Sequence, residues 1–279
     1  MTKCNLCPRH CNVDRTLNRG FCNEQETLRI AKIIENFEWE EPCITGNKGS
    51  LAIFFSGCNL RCDYCQNHEI SSGGIGQTYT IEEFCKLIEE KQDNHSSIDL
   101  VTPTHFSSAL KKAFSQIKPK IPVVWNTNGY ETVQNIKEVS SFVDIFLTDF
   151  KYADDEIGKQ FSRCNDYFSI ALPAITEMCQ LKKDLIQEDF MKQGVLIRHL
   201  VLPDHLDNSI SVLNIIKENF ADRKISVMSQ FTPNGKSKLN RKLKPIEYKL
   251  ILTHMEKLGL TNGYFQDCNS ANDVFVPKF

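Results

Sequence analysis

Short apolar runs alternate with segments of helical periodicity from residue 50 onward. The runs span residues 51–55, 98–101, 121–125, 142–147, 195–201 and 225–229. The segments between them place apolar residues at helical spacing. Because parallel neighbouring strands need crossover connections, six strand–helix alternations predict an α/β fold with a parallel sheet. This pattern alone leaves open a partial (β/α)6 TIM-like barrel and an open doubly wound sheet.

Several helix boundaries can be predicted from end signals. Thr80 and Glu83 are spaced as a capping box, which predicts a helix that begins just after Thr80. We expect Ser107 or Ser108 to cap the next helix, and Pro245 to lie in the first turn of the last one. The apolar stripe expected on that last helix consists of Ile246, Leu250, Met255 and Leu258.

Polar and cysteine clusters follow the apolar runs where each predicted strand ends. They begin at Cys58 and continue at residues 102–105, 126–129, 149–151 and 229–232. Active sites of parallel α/β folds form at the carboxyl ends of the strands. The sequence therefore predicts one site, assembled from five separate parts of the chain, at that end of the sheet.

Composition and charge narrow the class of protein. The chain has 279 residues, which suffices for one large domain or for a domain with a small module. A net charge of −2 gives no general attraction to nucleic acid or membranes, and no apolar stretch reaches the length of a membrane span. The 12 cysteines cluster in short-spaced runs without an export signal, which indicates metal ligation in a reducing cytoplasm rather than disulfides.

The most informative motif is a three-cysteine loop, residues 58–65, in which Cys58, Cys62 and Cys65 follow the spacing C-x3-C-x2-C. Three thiolates cannot close a structural zinc site, which needs four protein ligands. They can hold three irons of a cubane iron–sulfur cluster and leave the fourth iron open to a small molecule. Two alternatives are a zinc site that borrows His68 and three buried structural thiols.

Residues 47 to 268 resemble the radical S-adenosylmethionine (SAM) family, in particular relatives of pyruvate formate-lyase activating enzyme. The stretches that carry the resemblance are 54–62, 65–67, 100–105, 126–130, 149–151 and 198–203. The resemblance implies a partial (β/α)6 barrel, here residues 47–279, with a [4Fe–4S] cluster on the three-cysteine loop and SAM on the open iron. It also implies one-electron cleavage of SAM to methionine and a 5′-deoxyadenosyl radical, which abstracts hydrogen from a substrate.

The resemblance further implies SAM-binding roles outside the three cysteines. Tyr64 is expected near the adenine, with loop packing as the alternative. Thr102 and Thr104 stand where many family members carry a glycine-glycine-glutamate-proline segment that receives the SAM amino group. Lys151 is expected to pair with the SAM carboxylate, and an internal ion pair with Asp149 is the alternative.

Two further strand ends carry candidate ligand-binding residues. Asn126 and Asn128 end the third run and are expected either to reach the ligand or to set the following turn. Arg198 and His199 point to opposite faces of their strand, so only one of them faces the barrel interior. We assign His199 to the site. Relatives bring another His from a proline-tyrosine-histidine segment, which residues 229–233 replace here.

The first 46 residues form a predicted Cys-rich metal-binding module. Cys4, Cys7, Cys11 and Cys22 follow C-x2-C-x3-C-x10-C, and four soft ligands over this length are typical of a closed tetrahedral site. A structural zinc ion is the simplest occupant. An auxiliary iron–sulfur cluster that relays electrons is the alternative, because four thiolates serve it equally well.

The sequence thus predicts a radical SAM oxidoreductase similar to glycyl-radical activating enzymes. Its substrate would be a glycine of a partner glycyl-radical enzyme, and its electron donor a flavodoxin- or ferredoxin-like protein. Two alternatives remain open at this point. One is a radical SAM enzyme that acts on a small molecule or a peptide side chain, and the other is a metal or iron–sulfur binding protein without turnover.

Overall fold

The computed structural model describes residues 3–235 and 237–266. The strands are β1 Leu28–Phe37, β2 Ser50–Phe55, β3 Gln77–Tyr79, β4 Ser97–Val101, β5 Val123–Thr127, β6 Ile145–Asp149, β7 Leu185–Gln187, β8 Phe190–Leu200, β9 Lys224–Met228 and β10 Gly263–Phe265. The helices are α1 Pro42–Thr45, α2 His68–Ser71, α3 Ile81–Lys91, α4 Ser107–Phe114, α5 Val133–Val139, α6 Asp155–Ser162, α7 Tyr167–Leu181, α8 Leu206–Phe220 and α9 Pro245–Leu258.

The sheet has the order β10-β9-β8-β6-β5-β4-β2-β1-β3, and β7 pairs with β8 beside it. The strands β2, β4, β5, β6, β8 and β9 lie side by side in chain order and are all parallel. A doubly wound sheet would reverse its strand order at a switch point. Chain order is that of a barrel, and in the described residues the edge strands β3 and β10 do not pair. The structure therefore supports an α/β partial barrel over the open sheet.

Both faces of the central strands are buried. In β5, Val123 and Trp125 belong to the large core on the helical side, whereas Val124 belongs to a smaller cluster on the other face. Short helix α1 contributes Cys43 and Ile44 to that smaller cluster. The inner face of the sheet is therefore filled by side chains at one end, which leaves the carboxyl ends of the strands for a cavity.

The strands and helices predicted from the sequence are present in the structure, but several of them begin or end at other residues. All six apolar runs are strands, but the third and fourth strands begin and end about two residues later than predicted because they continue into polar residues. The capping box is confirmed, since the Thr80 hydroxyl accepts from the Glu83 amide at 3.1 Å and the Glu83 carboxylate accepts from the Thr80 amide at 2.8 Å. Pro245 opens α9 as predicted.

Two helix predictions are wrong. Neither Ser107 nor Ser108 caps α4, because a 3₁₀ turn at Thr104–Phe106 leads directly into that helix. In α9 the buried positions are Tyr248, Ile251 and Met255, whereas Ile246 and Leu250 are exposed.

The sequence predicts a boundary between two modules at residue 46. In the structure, strands on both sides of this residue belong to the same sheet. The sequence analysis does not predict strand β1, which pairs antiparallel with β2 and β3. Its sequence does alternate apolar and polar residues at Leu28–Ile30, which is the signal that could have revealed it. Within the described residues, no helix is both long enough and apolar enough to cross a bilayer.

Gly129 gives a test of how tightly the strand ends are packed. It follows β5 with φ of +81°, and a Cβ there would lie 2.2 Å from the Asp149 carbonyl oxygen. We expect Gly129→Ala to lower the free energy of unfolding by several kcal/mol, because backbone strain and a backbone clash add. Thermal and urea unfolding of the variant measure this loss.

The matched control for that prediction is Gly235→Ala. Gly235 also has a positive φ, +71°, but no atom of the described residues lies within 4 Å of the position that a Cβ would take there. This substitution should cost only about 1 to 2 kcal/mol, the strain alone. Equal losses in the two variants would contradict the close packing at Gly129.

Candidate active site

A cavity opens where the carboxyl ends of the parallel strands meet, as the polar clusters predicted. Its wall includes the three-cysteine loop, the ends of β4, β5, β6 and β8, and residues after β9. It is lined by Phe37, Trp39, Glu40, Phe54, Cys58, Leu60, Cys62, Tyr64, Cys65, Gln66, Asn67, Val101, Thr102, Asn126, Thr127, Asn128, Asp149, Lys151, Arg198, Leu200, Met228, Gln230, Phe231 and Thr232. Residues far apart in the sequence therefore share one site.

The three cysteines of the loop converge on this cavity. Cys58, Cys62 and Cys65 are each half-buried, and all three line it. The Cys58 sulfur accepts hydrogen bonds from the Leu60 amide at 3.3 Å and from Asn128 Nδ2 at 3.4 Å. Donors aimed at sulfur are suited to thiolates that carry negative charge.

Burial keeps these groups protonated when no metal is bound. It raises the pKa of Cys58 to about 12 and that of Cys65 to about 11, with smaller contributions from the neighbouring thiols. It also raises the pKa of Cys62, against the opposing effect of Lys151. Ligation would therefore release protons, since thiolates are the metal-binding form.

The donor set fits an iron–sulfur cluster better than a single ion. In residues 3–235 and 237–266, no group of three or more His, Cys, Asp or Glu side chains is arranged to hold one metal ion. Thiolates on different irons of a cluster lie farther apart than thiolates around one ion. Three thiols on one wall of a cavity, with donors directed at their sulfurs, match the former arrangement.

Neighbouring side chains fix the shape of the loop. Asn59 is fully buried, its Nδ2 donates to the Tyr130 carbonyl at 2.7 Å, and its Oδ1 accepts from Asn128 Nδ2 at 2.7 Å. On the other side, the amides of Arg61 and Asp63 donate to carbonyls at the end of α6. The loop is thus held between the end of β5 and the end of α6.

The floor of the cavity is a partly buried ionic network, which we call the ionic floor: Glu40, Asp149, Lys151 and Arg198. The Arg198 guanidinium donates to Glu40 at 2.5 Å and to Asp149 at 3.2 Å. It also donates to Asn126 Oδ1, the oxygen of the side-chain amide, at 2.7 Å. Lys151 Nζ donates to the other Asp149 oxygen at 2.6 Å.

The pKa shifts follow from burial and from these charges. Burial alone would raise the pKa of Asp149, but Lys151 and Arg198 outweigh it and lower that pKa. Burial raises the pKa of Glu40 despite Arg198. Asp99, fully buried beside Glu40, has its pKa raised well above the usual value by burial and by that neighbouring charge.

Most of the predicted ligand-binding residues lie on the cavity. Tyr64, Thr102, Asn126, Asn128, Asp149 and Lys151 all line it. Lys151 and Asp149 form the ion pair that was the alternative to a ligand-binding role, and they form it inside the cavity. Thr102 adopts φ of +59°, an unusual conformation for a β-branched residue that turns the chain at the end of β4.

Thr104 and His199 lie elsewhere than expected, because neither lines the cavity. The Thr104 hydroxyl donates to Glu131 at 2.7 Å, and this buried carboxylate also accepts from Trp125 Nε1 and the Thr127 hydroxyl. His199 is buried on the helical face, where its ring nitrogens bond the Phe150 carbonyl and the Ser209 hydroxyl, both at 2.8 Å. Burial lowers the pKa of His199 to about 4.

Arg198 and Glu40 are functional candidates that the sequence reasoning did not assign. Arg198 takes the interior position in place of His199, as strict alternation along β8 requires. Glu40 comes from the segment after β1, and no local motif marks it. Trp39 beside it also lines the cavity and is 41% exposed.

The four amino-terminal cysteines lie near one another but stay outside the cavity. The neighbouring thiols of Cys4, Cys11 and Cys22 each add to the burial that raises the pKa of Cys7 to about 12. The Cys11 sulfur accepts from the Phe21 amide at 3.1 Å. A Cβ at Gly20 would lie 3.4 Å from the Cys22 sulfur and 3.6 Å from the Cys11 sulfur, so glycine leaves space beside these thiols.

The same amino-terminal segment packs directly on the three-cysteine loop. Arg9 Nε donates to the Asn59 carbonyl at 2.7 Å, and Arg61 Nη2 donates to the Phe21 carbonyl at 2.6 Å. Both guanidinium groups lie over the Phe21 ring, at 4.0 and 5.1 Å from its centroid. Buried Arg15 joins the segment to the His105 carbonyl.

Comparison with models of protein families shows to which superfamily the chain belongs. The family model described as the radical SAM superfamily matches residues 52–209, more than half of the chain. The chain belongs to the radical SAM superfamily. The matched region begins in β2 and ends in α8, so it contains the three-cysteine loop and the strand ends that line the cavity.

Two curated relatives and one solved structure are similar over most of the chain. An uncharacterised protein of Methanocaldococcus jannaschii is 32% identical over 271 residues, which cover 92% of this chain and 75% of that protein. The pyruvate formate-lyase-activating enzyme of Clostridium pasteurianum is 29% identical over 219 residues, covering 71% of this chain and 81% of the enzyme. Streptococcus suis SuiB bound to S-adenosylmethionine has a TM-score of 0.55 at 12% identity, covering 76% of this chain and 49% of SuiB. This last likeness concerns the fold alone, and the chain spans about half the length of SuiB.

The ionic floor predicts a pH-dependent cost for losing Arg198. In Arg198→Met, Glu40 loses the cation that opposes burial and its folded pKa rises further, while Asp149 keeps Lys151 but loses its second cation, so its folded pKa also rises. A carboxyl whose folded pKa exceeds its unfolded pKa destabilises the protein increasingly as pH rises. We therefore expect a loss of about 3–5 kcal/mol near neutral pH, larger at about pH 8 than at about pH 5. Thermal unfolding across this range measures it.

The control variant is Lys120→Met. It removes a surface ion pair with Asp93, in which the two side chains are 67% and 64% exposed. Such pairs contribute less than about 1 kcal/mol, so stability should change little at either pH. An Arg198 variant as stable as the parent at both pH values would refute the assigned charges.

Proposed function

We propose that this radical SAM protein is an oxidoreductase that abstracts hydrogen from a glycine of a partner glycyl-radical enzyme. One observation carries the proposal: three thiols from a single loop converge on a cavity at the carboxyl ends of six parallel strands. The similarity to a pyruvate formate-lyase-activating enzyme supports the choice of substrate.

In this proposal Cys58, Cys62 and Cys65 hold a [4Fe–4S] cluster. When bound, the cluster and SAM together supply a one-electron cleavage that yields methionine and a 5′-deoxyadenosyl radical. The protein's own contribution is to position both groups and to keep water away from them. Tyr64, Leu60 and Phe231 are buried residues of the cavity wall that serve this exclusion.

The ionic floor suits the amino-acid end of SAM, which carries an ammonium and a carboxylate. Lys151 offers a cation and Asp149 an anion on one wall, 2.6 Å apart. Asn126, Asn128 and Thr102 add amide and hydroxyl groups around them. We propose that these residues bind SAM and that the ion pair between Lys151 and Asp149 rearranges to do so.

A partner protein would reach the cavity at its rim. Exposed Trp39 and partly buried Thr232 and Gln66 line the cavity and are available for contact with an inserted peptide segment. We further propose a flavodoxin- or ferredoxin-like electron donor and a reducing cytoplasmic setting. All cysteines in the described part of the chain are free thiols, which is compatible with such a setting.

We also propose that Cys4, Cys7, Cys11 and Cys22 bind a second metal group, either zinc or an auxiliary iron–sulfur cluster. The mutual approach of the thiols supports it. In the described residues these four thiols, like those of the three-cysteine loop, are not arranged around one metal ion, so binding would draw them together. The contacts of Arg9 and Arg61 would hold this group close to the three-cysteine loop.

The proposed function predicts two products in sequence. Anaerobically reconstituted protein with reductant and SAM should release 5′-deoxyadenosine, and with a glycyl-radical partner it should give a glycyl doublet in electron paramagnetic resonance. Cys62→Ala should lose the part of the broad ~400 nm absorbance that belongs to this cluster, together with both products, because the cluster loses a ligand.

The matched control is Cys85→Ala, which removes a buried thiol of α3 that bonds the Ala113 carbonyl. It should keep absorbance and products. If the parent protein forms no 5′-deoxyadenosine, the enzymatic proposal fails. If it forms 5′-deoxyadenosine but no glycyl doublet with any partner, the substrate is instead a small molecule or a peptide side chain.

The second metal group predicts separable metal contents. Cys22→Ser should lose the amino-terminal metal while the three-cysteine loop keeps its iron, because the two thiol sets share no ligand. Elemental analysis of zinc, iron and sulfide in Cys22→Ser, Cys62→Ala and the parent measures this. Identical metal contents in Cys22→Ser and the parent would rule out a metal at these four cysteines.

A further inference from the structure

A row of three hydroxyl groups runs from the cavity wall to one thiol of the three-cysteine loop. The Tyr64 hydroxyl lies 2.6 Å from that of Tyr152, which lies 2.6 Å from Ser162 Oγ. Ser162 Oγ in turn lies 2.9 Å from the Cys62 sulfur. We call Tyr64, Tyr152 and Ser162 the hydroxyl chain.

A thiolate at the end of this row fixes the direction of every hydrogen bond in it. A sulfur bound to iron has no proton to give, so Ser162 must donate to Cys62. The Ser162 oxygen then accepts from Tyr152, and the Tyr152 oxygen accepts from Tyr64. All three dipoles therefore point their positive ends toward the sulfur.

Burial strengthens this arrangement. Tyr152 and Ser162 are fully buried and Tyr64 is 7% exposed, so water does not compete for these hydroxyls. Hydrogen bonds in a row polarise one another, and a low dielectric increases their strength. A donor in such a row acts on the sulfur more strongly than an isolated serine would.

Backbone contacts hold Ser162 in place relative to the loop. Ser162 is the last residue of α6, and its carbonyl accepts from the Arg61 amide at 3.3 Å. The neighbouring Phe161 carbonyl accepts from the Asp63 amide at 2.9 Å. Because these bonds flank Cys62 on both sides, the distance from Ser162 to the sulfur is set by the backbone.

We propose that the hydroxyl chain sets the reduction potential of the cluster through Cys62, with Ser162 and Tyr152 as positioning residues. The inference rests on the proposed cluster at Cys58, Cys62 and Cys65. Hydrogen bonds to the sulfur stabilise the reduced, more negative cluster over the oxidised one. The hydroxyl chain thus makes the cluster easier to reduce.

The test is a redox titration of the anaerobically reconstituted, full-length protein, followed by electron paramagnetic resonance of the reduced cluster. In Ser162→Ala the ratio of reduced to oxidised cluster at a fixed potential should fall by roughly threefold to tenfold. Tenfold corresponds to a shift of ~59 mV to more negative potential for a one-electron couple. Tyr152→Phe should shift the potential in the same direction by less, because Ser162 remains as the last donor.

Three further variants separate this role from a merely structural one. Ser162→Thr keeps a hydroxyl and should restore the parent potential. Ser50→Ala removes a buried hydroxyl that bonds Ser97 far from the three-cysteine loop, and Tyr248→Phe removes one that donates to the Val227 carbonyl. Both should leave the potential unchanged.

The outcomes distinguish this inference from the proposed function. If Ser162→Ala and Tyr152→Phe hold the cluster at the parent potential, the hydroxyl chain has no such role, while 5′-deoxyadenosine formation by the parent still supports the enzyme. If Ser162→Ala fails to fold, the potential of Tyr152→Phe decides: a shift to more negative potential supports the role and the parent potential overturns it. A parent protein without a cluster at the three cysteines overturns both.

Discussion

One guanidinium, largely shielded from solvent, joins the parts of the chain that form the floor of the cavity. Arg198 of β8 donates to Glu40 of the amino-terminal segment, to Asn126 of β5 and to Asp149 of β6. A buried charge with imperfect partners is costly, and this one has an acceptor for each of its three nitrogens. The strands must therefore keep their relative register for the network to exist, and the cavity depends on that register.

The amino-terminal segment contributes to the ionic floor and also contacts the three-cysteine loop. Strand β1 runs antiparallel to β2 and ends beside Ser50, at the amino end of the parallel strands, and the chain that follows brings Glu40 to Arg198 from that end. Farther upstream, Arg9 and Phe21 contact the three-cysteine loop from outside. The loop is thus enclosed by the strand ends on one side and by the cysteine-rich segment on the other. A shift of that segment would therefore act on the loop through direct contacts.

The sequence was sufficient for features that local chemistry determines. Six strands, the capping box at Thr80 and the position of the site at the strand ends all follow from periodicity and end signals. It was insufficient where two faces of an element are equally buried. In β8 both Arg198 and His199 alternate with apolar residues, because a parallel strand is covered on both faces. Periodicity cannot tell the helical face from the interior, which is why the sequence reasoning placed His199 rather than Arg198 on the interior face.

Long-range partners are the other class of feature that the sequence concealed. Nothing near Glu40 indicates that it meets Arg198, which lies 158 residues away. Ser162 likewise resembles an ordinary polar residue at a helix end, and its contact with Cys62 depends on how α6 packs against the three-cysteine loop. Thr104 stands next to the site in sequence, yet the buried Glu131 carboxylate draws its hydroxyl away from the cavity.

The charges around Cys62 explain why neutral donors matter there. Lys151 favours a thiolate at Cys62, whereas Asp149 opposes it from the same ion pair. Arg198 is likewise balanced by Glu40 and Asp149. The ionic floor therefore brings little net positive charge to a group that becomes more negative on reduction. Ser162 Oγ lies 2.9 Å from the Cys62 sulfur, and Asn128 and the Leu60 amide donate to the Cys58 sulfur. Such neutral donors would stabilise negative charge on a cluster held there, and a low dielectric increases their effect.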